Sequence, residues 1–121
     1  MRILIVLILA TAIVSCGDSK KTVLYNKVMD VHDEVMPKMD DIYQQKKELQ
    51  DKLATKPVDS LELQQKIARL DSADHMMMDW MHQFNPPDEK ASDDEAEKYL
   101  EDQLAKVNAM RDYVLKAIGQ K

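Results

Sequence analysis

Residues 96–118, AEKYLEDQLAKVNAMRDYVLKAI, indicate the fold class of this chain most clearly. Their apolar members recur at intervals of three and four, which is the spacing of one face of an α-helix. They are Ala96, Leu100, Leu104, Val107, Met110, Val114 and Ile118. A helix with such a stripe draws most of its stability from packing against other elements, so the chain must supply partners for it.

Two more stripes of the same spacing precede this one. The first consists of Leu24, Val28, Val31, Val35, Met39, Ile42, Leu49 and Leu53, and the second of Leu63, Ile67, Leu70, Ala73, Met77, Met81 and Phe84. We therefore expect helices over residues 22–53, 59–84 and 93–118 within one domain, 22–121. Short connections and the lack of a strand pattern predict an all-α, antiparallel up-down-up three-helix bundle with coiled-coil-like packing. A hairpin with a mobile third helix, or a dimeric assembly of four or six helices, is the alternative.

The ends of these helices carry recognisable signals. Residues 59–62, DSLE, and 92–95, SDDE, have the form of capping boxes at helix starts. Val58 and Leu63 have the spacing of a hydrophobic staple around the first box. Gly119 stands where a helix C-terminus is expected.

Pro37 breaks a local rule inside the first stripe, because proline lacks an N–H and clashes with the preceding helical turn. The apolar spacing nevertheless continues through it from Val35 to Met39. The pattern predicts one kinked helix rather than two. The bend either wraps the helix around its neighbours or opens a pocket.

The N-terminus has the three parts of a secretion signal: the basic Arg2, an apolar run over residues 3–14 and the small Ser15. The run is shorter than the roughly 20 residues that a membrane-spanning helix needs. Residues 13–16, IVSC, resemble a bacterial lipobox, which implies cleavage of a signal peptide over 1–15 and attachment of lipid to Cys16. We expect Cys16 to anchor the chain in the membrane through a short tether, 16–21.

Composition and charge restrict the location and the partners. Lys20 and Lys21 replace the acidic run of lipoproteins exported to the cell surface, which favours a periplasm-facing anchor on the outer membrane of a bacterial envelope. The net charge is −5 and no basic stripe with interleaved aromatic residues occurs, so we expect no nucleic-acid partner. The sequence contains no phosphate-binding loop, zinc-protease motif or nucleophile elbow, so we expect no enzyme activity.

Methionine and histidine are concentrated in two short windows, 29–39 and 75–82. Outward-pointing methionines are typical of adaptable contact surfaces, and we favour a structural or interaction role with an envelope protein or a second copy as partner. The residues of that face are Met29, Met36, Met76 and Met78. Thioether and imidazole groups also suit Cu(I), so the alternative is a periplasmic copper site. Its candidate ligands are His32, Met36, His75, Met78, Asp79 and His82. No other cofactor is expected.

The register of the first two helices predicts which side chains meet. If Leu49 faces Leu63 across the hairpin, His32 lies level with Trp80. Helical angles place His32 at the boundary of the core, and Trp80 is expected to fill the core. The angles also place two methionines inside, Met77 and Met81.

Three segments together resemble a known group of proteins: the signal with IVSC, residues 28–39 (VMDVHDEVMPKM) and residues 73–84 (ADHMMMDWMHQF). They are similar to a flavobacterial-type family of small lipoproteins, some of which are named viral A-type inclusion protein. The resemblance implies an envelope location and a helical form. It implies no ligand and no activity.

Overall fold

A computed structural model of the chain describes residues 17–56, 58 and 60–120, in which the backbone forms helices and no strand. The helices are α1 (Lys20–Val35), α2 (Lys38–Thr55), α3 (Ser60–Gln83) and α4 (Asp93–Ala117). The protein is all-helical, with three helical segments packed together; α1 and α2 are the two parts of the first segment. The predicted signal peptide and Cys16 lie outside the described residues.

The first helical segment is interrupted at Met36 and Pro37, where one kinked helix was expected. The Met36 N–H still donates to the His32 carbonyl at 2.9 Å, and the Met39 N–H donates to the Met36 carbonyl at 3.1 Å, only three residues back. Met36 and Pro37 keep right-handed helical backbone angles. Since proline has no N–H to donate, the regular bond pattern stops and restarts there. The apolar stripe nevertheless continues, because Val35 and Ile42 are both buried.

The start of α1 lies two residues before the predicted one, so the predicted tether over 16–21 is partly helical. Ser19 caps the helix with its side chain. Lys20 Nζ lies 2.9 Å from a carboxylate oxygen of Glu97 and 3.0 Å from one of Glu101. Hydrogen bonds to these two carboxylates raise the pKa of Lys20. The lysine therefore ties the beginning of α1 to α4.

Both ends of α4 have the predicted caps. The Ser92 side chain accepts a hydrogen bond from the Glu95 N–H at 3.3 Å, as a capping box requires. At the other end Gly119 has a φ of 79°, its N–H donates to the Lys116 carbonyl, and the Gln120 N–H donates to the Leu115 carbonyl. This pair of bonds is the Schellman motif, which places glycine in the left-handed conformation.

Helix α3 begins at Ser60, directly after the predicted cap position, but without the predicted staple. Asp59, the predicted cap, lies outside the described residues. Val58 is 94% exposed, so the predicted staple with Leu63 does not form. Glu62 pairs with Lys66 one turn along the helix, at 2.6 Å.

Helix contacts follow a consistent order along the chain. The first residues of α1 meet the first turns of α4, and Glu34 near the end of α1 meets Arg111 further along α4, at 3.9 Å. Between the first segment and α3 the order is reversed: His32 meets Met81, whereas Lys46 pairs with Asp71. Extensive contacts join α1 to α4, α2 to α3 and α3 to α4.

The third helical segment ends before the other two do. Gln45 donates from its side chain to the carbonyl of Ile118, which is the C-cap residue of α4, at 3.1 Å. Beyond this level α2 and α3 continue without α4. We call residues 46–55 and 60–67 the hairpin tip, and residues 20–45, 70–83 and 93–118 the three-helix part.

The buried core lies in the three-helix part and consists largely of the predicted stripes. Its apolar members are Leu24, Val28, Val35, Ile42, Leu70, Ala73, Met77, Trp80, Ala96, Leu100, Val107, Met110, Val114 and Ile118. Within the described residues, every buried side-chain nitrogen and oxygen has a hydrogen-bond partner. Among those residues no helix combines the length and apolar character needed to cross a bilayer.

Candidate functional site

Aromatic rings gather at the end of the three-helix part where α1 begins. The Phe84 ring centroid lies 5.0 Å from that of Trp80 and 6.2 Å from that of Tyr99, with both pairs stacked, and 6.3 Å from that of Tyr25. The His32 ring continues this cluster, 5.8 Å from the Trp80 ring. Because the rings come from α1, α3, α4 and the residue after α3, they join all three helical segments at this end.

Trp80 fills the core, as predicted, and is held by a buried glutamine. Its indole N–H donates to the Gln103 side-chain oxygen at 3.1 Å, and Gln103 is itself buried. Gln103 was not among the residues predicted to lie in the core, although it lies three residues after Leu100 and four before Val107 and therefore shares their face. Its position as a polar residue on the apolar face of the helix could have predicted a buried hydrogen-bonding role for Gln103.

His32 lies at the edge of the core, where the helical angles place it, with 18% of its side chain exposed. Its Nε2 is 3.4 Å from the Met81 sulfur, and its Nδ1 is 2.9 Å from Asp33 Oδ1. The predicted register of the hairpin is confirmed here, because His32 contacts Trp80 and its neighbour Met81. This is the one place where an imidazole and a thioether meet among the described hydrogen-bonded contacts.

The remaining candidate metal ligands on α3 do not join His32. His75, Asp79 and His82 are exposed. The His75 Nδ1 lies 2.7 Å from the Asp71 carbonyl, to which it donates. Within the described residues, no three side chains from His, Cys, Asp and Glu are grouped to hold a metal ion. Within the described part of the chain, the structure brings only His32 of the predicted histidines to a thioether, that of Met81.

Four methionines were predicted to form one contact face, but two of them, Met76 and Met78, lie on opposite sides of α3. Met78 is three residues before Met81, so it shares the side of α3 that contacts α1. Met76 is four residues before Trp80, whose indole bonds to α4, so it shares the opposite side. Met76 therefore cannot belong to one continuous surface with Met78.

Helical spacing places a second set of apolar side chains on either side of the seam between the first helical segment and α3. Met29, Met36 and Tyr43 are spaced by seven residues and share one face. Met29 and Met36 each lie one helical turn after a residue that contacts the α3 segment, Tyr25 and His32 respectively. Met36 and Met78 are each 40% exposed and Tyr43 is 65% exposed, while Met29 is half-buried. We call Met29, Met36, Tyr43 and Met78 the methionine surface.

Carboxylates lie around the part of the methionine surface that contains Met36. Between Leu70 and Gln83, α3 contains three aspartates and no lysine or arginine. Residues 28–41 contain five carboxylates and Lys38 as the single lysine or arginine. Asp33 and Asp40 are exposed, and they flank Met36 at distances of three and four residues along the first helical segment. The surface is thus apolar in its centre and negative around Met36, while Lys46 and Lys47 flank Tyr43 at its other end.

A separate groove of about 530 Å³ opens at the other end of the three-helix part, where α4 stops. Gln45, Leu49, Arg69 and Lys116 are among its lining residues. It results from the step between α4 and the longer hairpin, and it lies away from His32 and the methionine surface.

Comparisons of the chain with family models, curated proteins and solved structures find no significant match. The site is therefore interpreted from its own geometry and chemistry.

Proposed function

We propose that this chain is a lipid-anchored protein of the bacterial envelope that acts as a helical interaction module. The observation that carries the interaction role is the methionine surface, whose apolar side chains are exposed beside a well-filled core. Methionine adapts its shape to different partners because its side chain is unbranched and flexible. The anchor is inferred from residues 13–16, IVSC, with Cys16 carrying the lipid.

We further propose the up-down-up arrangement with coiled-coil-like packing for the bundle. Support comes from the order of the contacts, which ascends along α1 and α4 together and is reversed along α3. With the anchor at Cys16 and the helix starting at Lys20, the end with His32 and the aromatic rings would lie close to the membrane. A periplasm-facing position on the outer membrane is consistent with Lys20 and Lys21 following the anchor.

The partner we propose is a basic amphipathic helix of another envelope protein. An amphipathic helix places its apolar face in a hydrophobic groove through residues at helical spacing. The carboxylates around the methionine surface, including Asp33 and Asp40, favour a positively charged partner and attract it from a distance. A second copy of this chain would bring the same carboxylates together, which disfavours self-association through this surface.

Metabolic labelling with a radioactive fatty acid tests the anchor. The wild-type chain should incorporate the label and stay with the membrane fraction after a salt wash. Cys16→Ser should abolish the labelling, because the thiol that accepts the diacylglycerol is gone. Labelling that persists in Cys16→Ser would show that Cys16 is not the lipidation site.

Photocrosslinking from single positions in the membrane-bound full chain tests the interaction surface. A photoreactive phenylalanine analogue at Met36, Tyr43 or Met78 should crosslink to a discrete protein, and the crosslinked peptide should be basic and amphipathic. Analogues at Met76 and Tyr113 are matched controls, because both residues are exposed but lie outside the methionine surface. The double substitution Asp33→Asn and Asp40→Asn should reduce the crosslink at Met36. A crosslink between two copies would identify a homodimer instead, and equal capture from all five positions would contradict the proposal.

A further inference from the structure

The contact between His32 and Met81 brings an imidazole nitrogen and a thioether sulfur together, 3.4 Å apart. Asp33 Oδ1 lies 2.9 Å from Nδ1 of the His32 ring, and an ionised carboxylate can only accept hydrogen bonds. The proton of a neutral imidazole therefore belongs on Nδ1, which leaves Nε2 as a lone-pair acceptor. Nε2 faces the Met81 sulfur, a weak acceptor, at 3.4 Å. With Nε2 unprotonated, two lone-pair atoms face each other at 3.4 Å, a separation that one cation can bridge.

The separation of the two atoms suits a single metal ion. An ion bonded at about 2.0 Å to the imidazole nitrogen and about 2.3 Å to the sulfur would subtend an angle of about 100° with this pair. That angle lies between the ideal values for square and tetrahedral coordination. The ion can therefore bind both atoms without the two helices moving apart.

The chemistry of the two ligands selects the kind of ion. A neutral imidazole and a neutral thioether bring no negative charge, and thioethers favour soft ions such as Cu(I) over Mg²⁺ or Ca²⁺. Asp33 on Nδ1 is the kind of partner that metal-binding histidines commonly have, since it fixes the orientation of the ring. The face of Trp80 lies beside the imidazole and would add a favourable interaction with the positive charge.

We propose that His32 Nε2 and Met81 Sδ form a binding site for a soft monovalent cation, with Cu(I) as the ion that the two ligands fit. This site goes beyond the proposed interaction role and differs from the ligand set expected from the sequence, in which Met81 was a core residue. Met36 lies one turn after His32, and Met78 lies one turn before Met81, so each is placed to supply a further thioether.

Cu(I) titration of the full chain in detergent tests this site. Cys16 is replaced by Ser in every variant, because a free thiol would itself bind copper. Under anaerobic conditions, competition with a chromogenic Cu(I) chelator measures affinity. Trp80 is the single tryptophan of the chain, so quenching of its fluorescence reports an ion near His32. One equivalent of Cu(I) should bind and quench the fluorescence, whereas Zn(II) should not.

Matched variants separate this site from the other methionines and histidines. Met81→Leu and His32→Gln should each weaken Cu(I) binding at least tenfold, while Met76→Leu and His82→Gln should change it less than threefold. Circular dichroism identifies any variant that fails to fold, and X-ray absorption of the wild-type complex should detect both nitrogen and sulfur ligands. Binding that survives both Met81→Leu and His32→Gln, or a complex without sulfur ligands, would overturn the proposal. Absence of binding would also overturn it, and would assign the contact to an imidazolium N–H donated to sulfur.

Discussion

The three-helix part and the hairpin tip share the same three- and four-residue spacing of apolar residues, but the apolar side chains are buried to different extents. Leu100 in the three-helix part is fully buried, whereas Leu53 and Leu63 in the tip are only half-buried. Leu61, also in the tip, is largely exposed. The difference arises because α4 ends at the level of Gln45, so the tip lacks a third helix. Equal apolar spacing therefore does not produce equal burial, since burial depends on how many helices surround a position.

The two regions also differ in the kind of contact that holds them. The three-helix part contains a buried hydrogen bond between Trp80 and Gln103 and a cluster of stacked rings. The tip contains half-buried aliphatic side chains, an exposed ion pair between Glu62 and Lys66, and the pair of Lys46 with Asp71 at its boundary with the three-helix part. Directional contacts favour one arrangement of the helices, whereas the tip relies mainly on non-directional apolar packing.

Truncating one leucine in each region should show the largest contrast. Leu100→Ala should lower the free energy of unfolding by about 3 kcal/mol, because it leaves a cavity in a filled core. Leu53→Ala should cost about 1 kcal/mol, because this side chain already contacts water. Urea unfolding followed by circular dichroism measures both values. Equal losses would show that the tip is as well buried in solution as the three-helix part.

The buried hydrogen bond gives a test specific to the three-helix part. Gln103→Leu should lower the free energy of unfolding by about 2 kcal/mol, because the Trp80 indole N–H is left buried without an acceptor. Adding Trp80→Phe to this variant removes the unpaired donor, so the double variant should lose less stability than the two single losses summed. The measurement is again urea unfolding of the three variants. Strict additivity would show that the two side chains do not interact.

Gly119 stands at the boundary between the two regions, where α4 ends. Gly119→Ala should cost about 1 kcal/mol, because alanine disfavours the positive φ that the cap requires. No atom lies within 4 Å of the added methyl group, so the cost is conformational rather than steric contact with neighbours. Gly119→Asn should cost less, since asparagine tolerates this conformation better. Thermal unfolding measures the order of the variants, and an undiminished melting temperature in Gly119→Ala would refute the prediction.

The smallest expected effect concerns the exposed ion pair of the tip. The hydrogen bond and charge of Lys66 lower the pKa of Glu62. A carboxyl with a lowered pKa stabilises the folded state above its ordinary pKa, about 4.3, and loses this contribution as the pH falls through the lowered value. NMR shifts of the amides near Glu62 should therefore change in mildly acidic to acidic solution, and Glu62→Gln should remove that change. The amides around Leu100 serve as the reference region and should not follow the same titration.

Much of the helical fold could be predicted from the sequence because its signals are local. The three apolar stripes, the Ser92 cap and the Gly119 stop depend on residues within a turn or two of each other. The interruption at Pro37 follows from the missing N–H of proline. Whether it gives one kinked helix or two depends on where the backbone hydrogen bonds resume after it. The predicted staple at Val58 is wrong, because its side chain has no neighbour to cover it.

The candidate site was less accessible from the sequence, because it depends on which helix faces which. The prediction placed Met76 and Met78 on one face because they are close in sequence. In a helix, however, the residues immediately before and after the buried Met77 point to opposite sides of α3. The register of the hairpin was sufficient to bring His32 to Trp80. It did not identify the Met81 sulfur as the atom facing Nε2, nor Gln103 as the acceptor for the indole.

Apolar spacing, proline positions and capping residues determined that this chain is helical and roughly where its helices begin and end, because those preferences act within single turns. The tertiary structure decided the rest: that α4 stops short of the hairpin tip, that Gln103 holds Trp80, and that an imidazole meets a thioether between α1 and α3. Such contacts join residues 23 to 49 positions apart in sequence. Their partners are set by helix lengths and rotations, which only packing of the whole chain can specify.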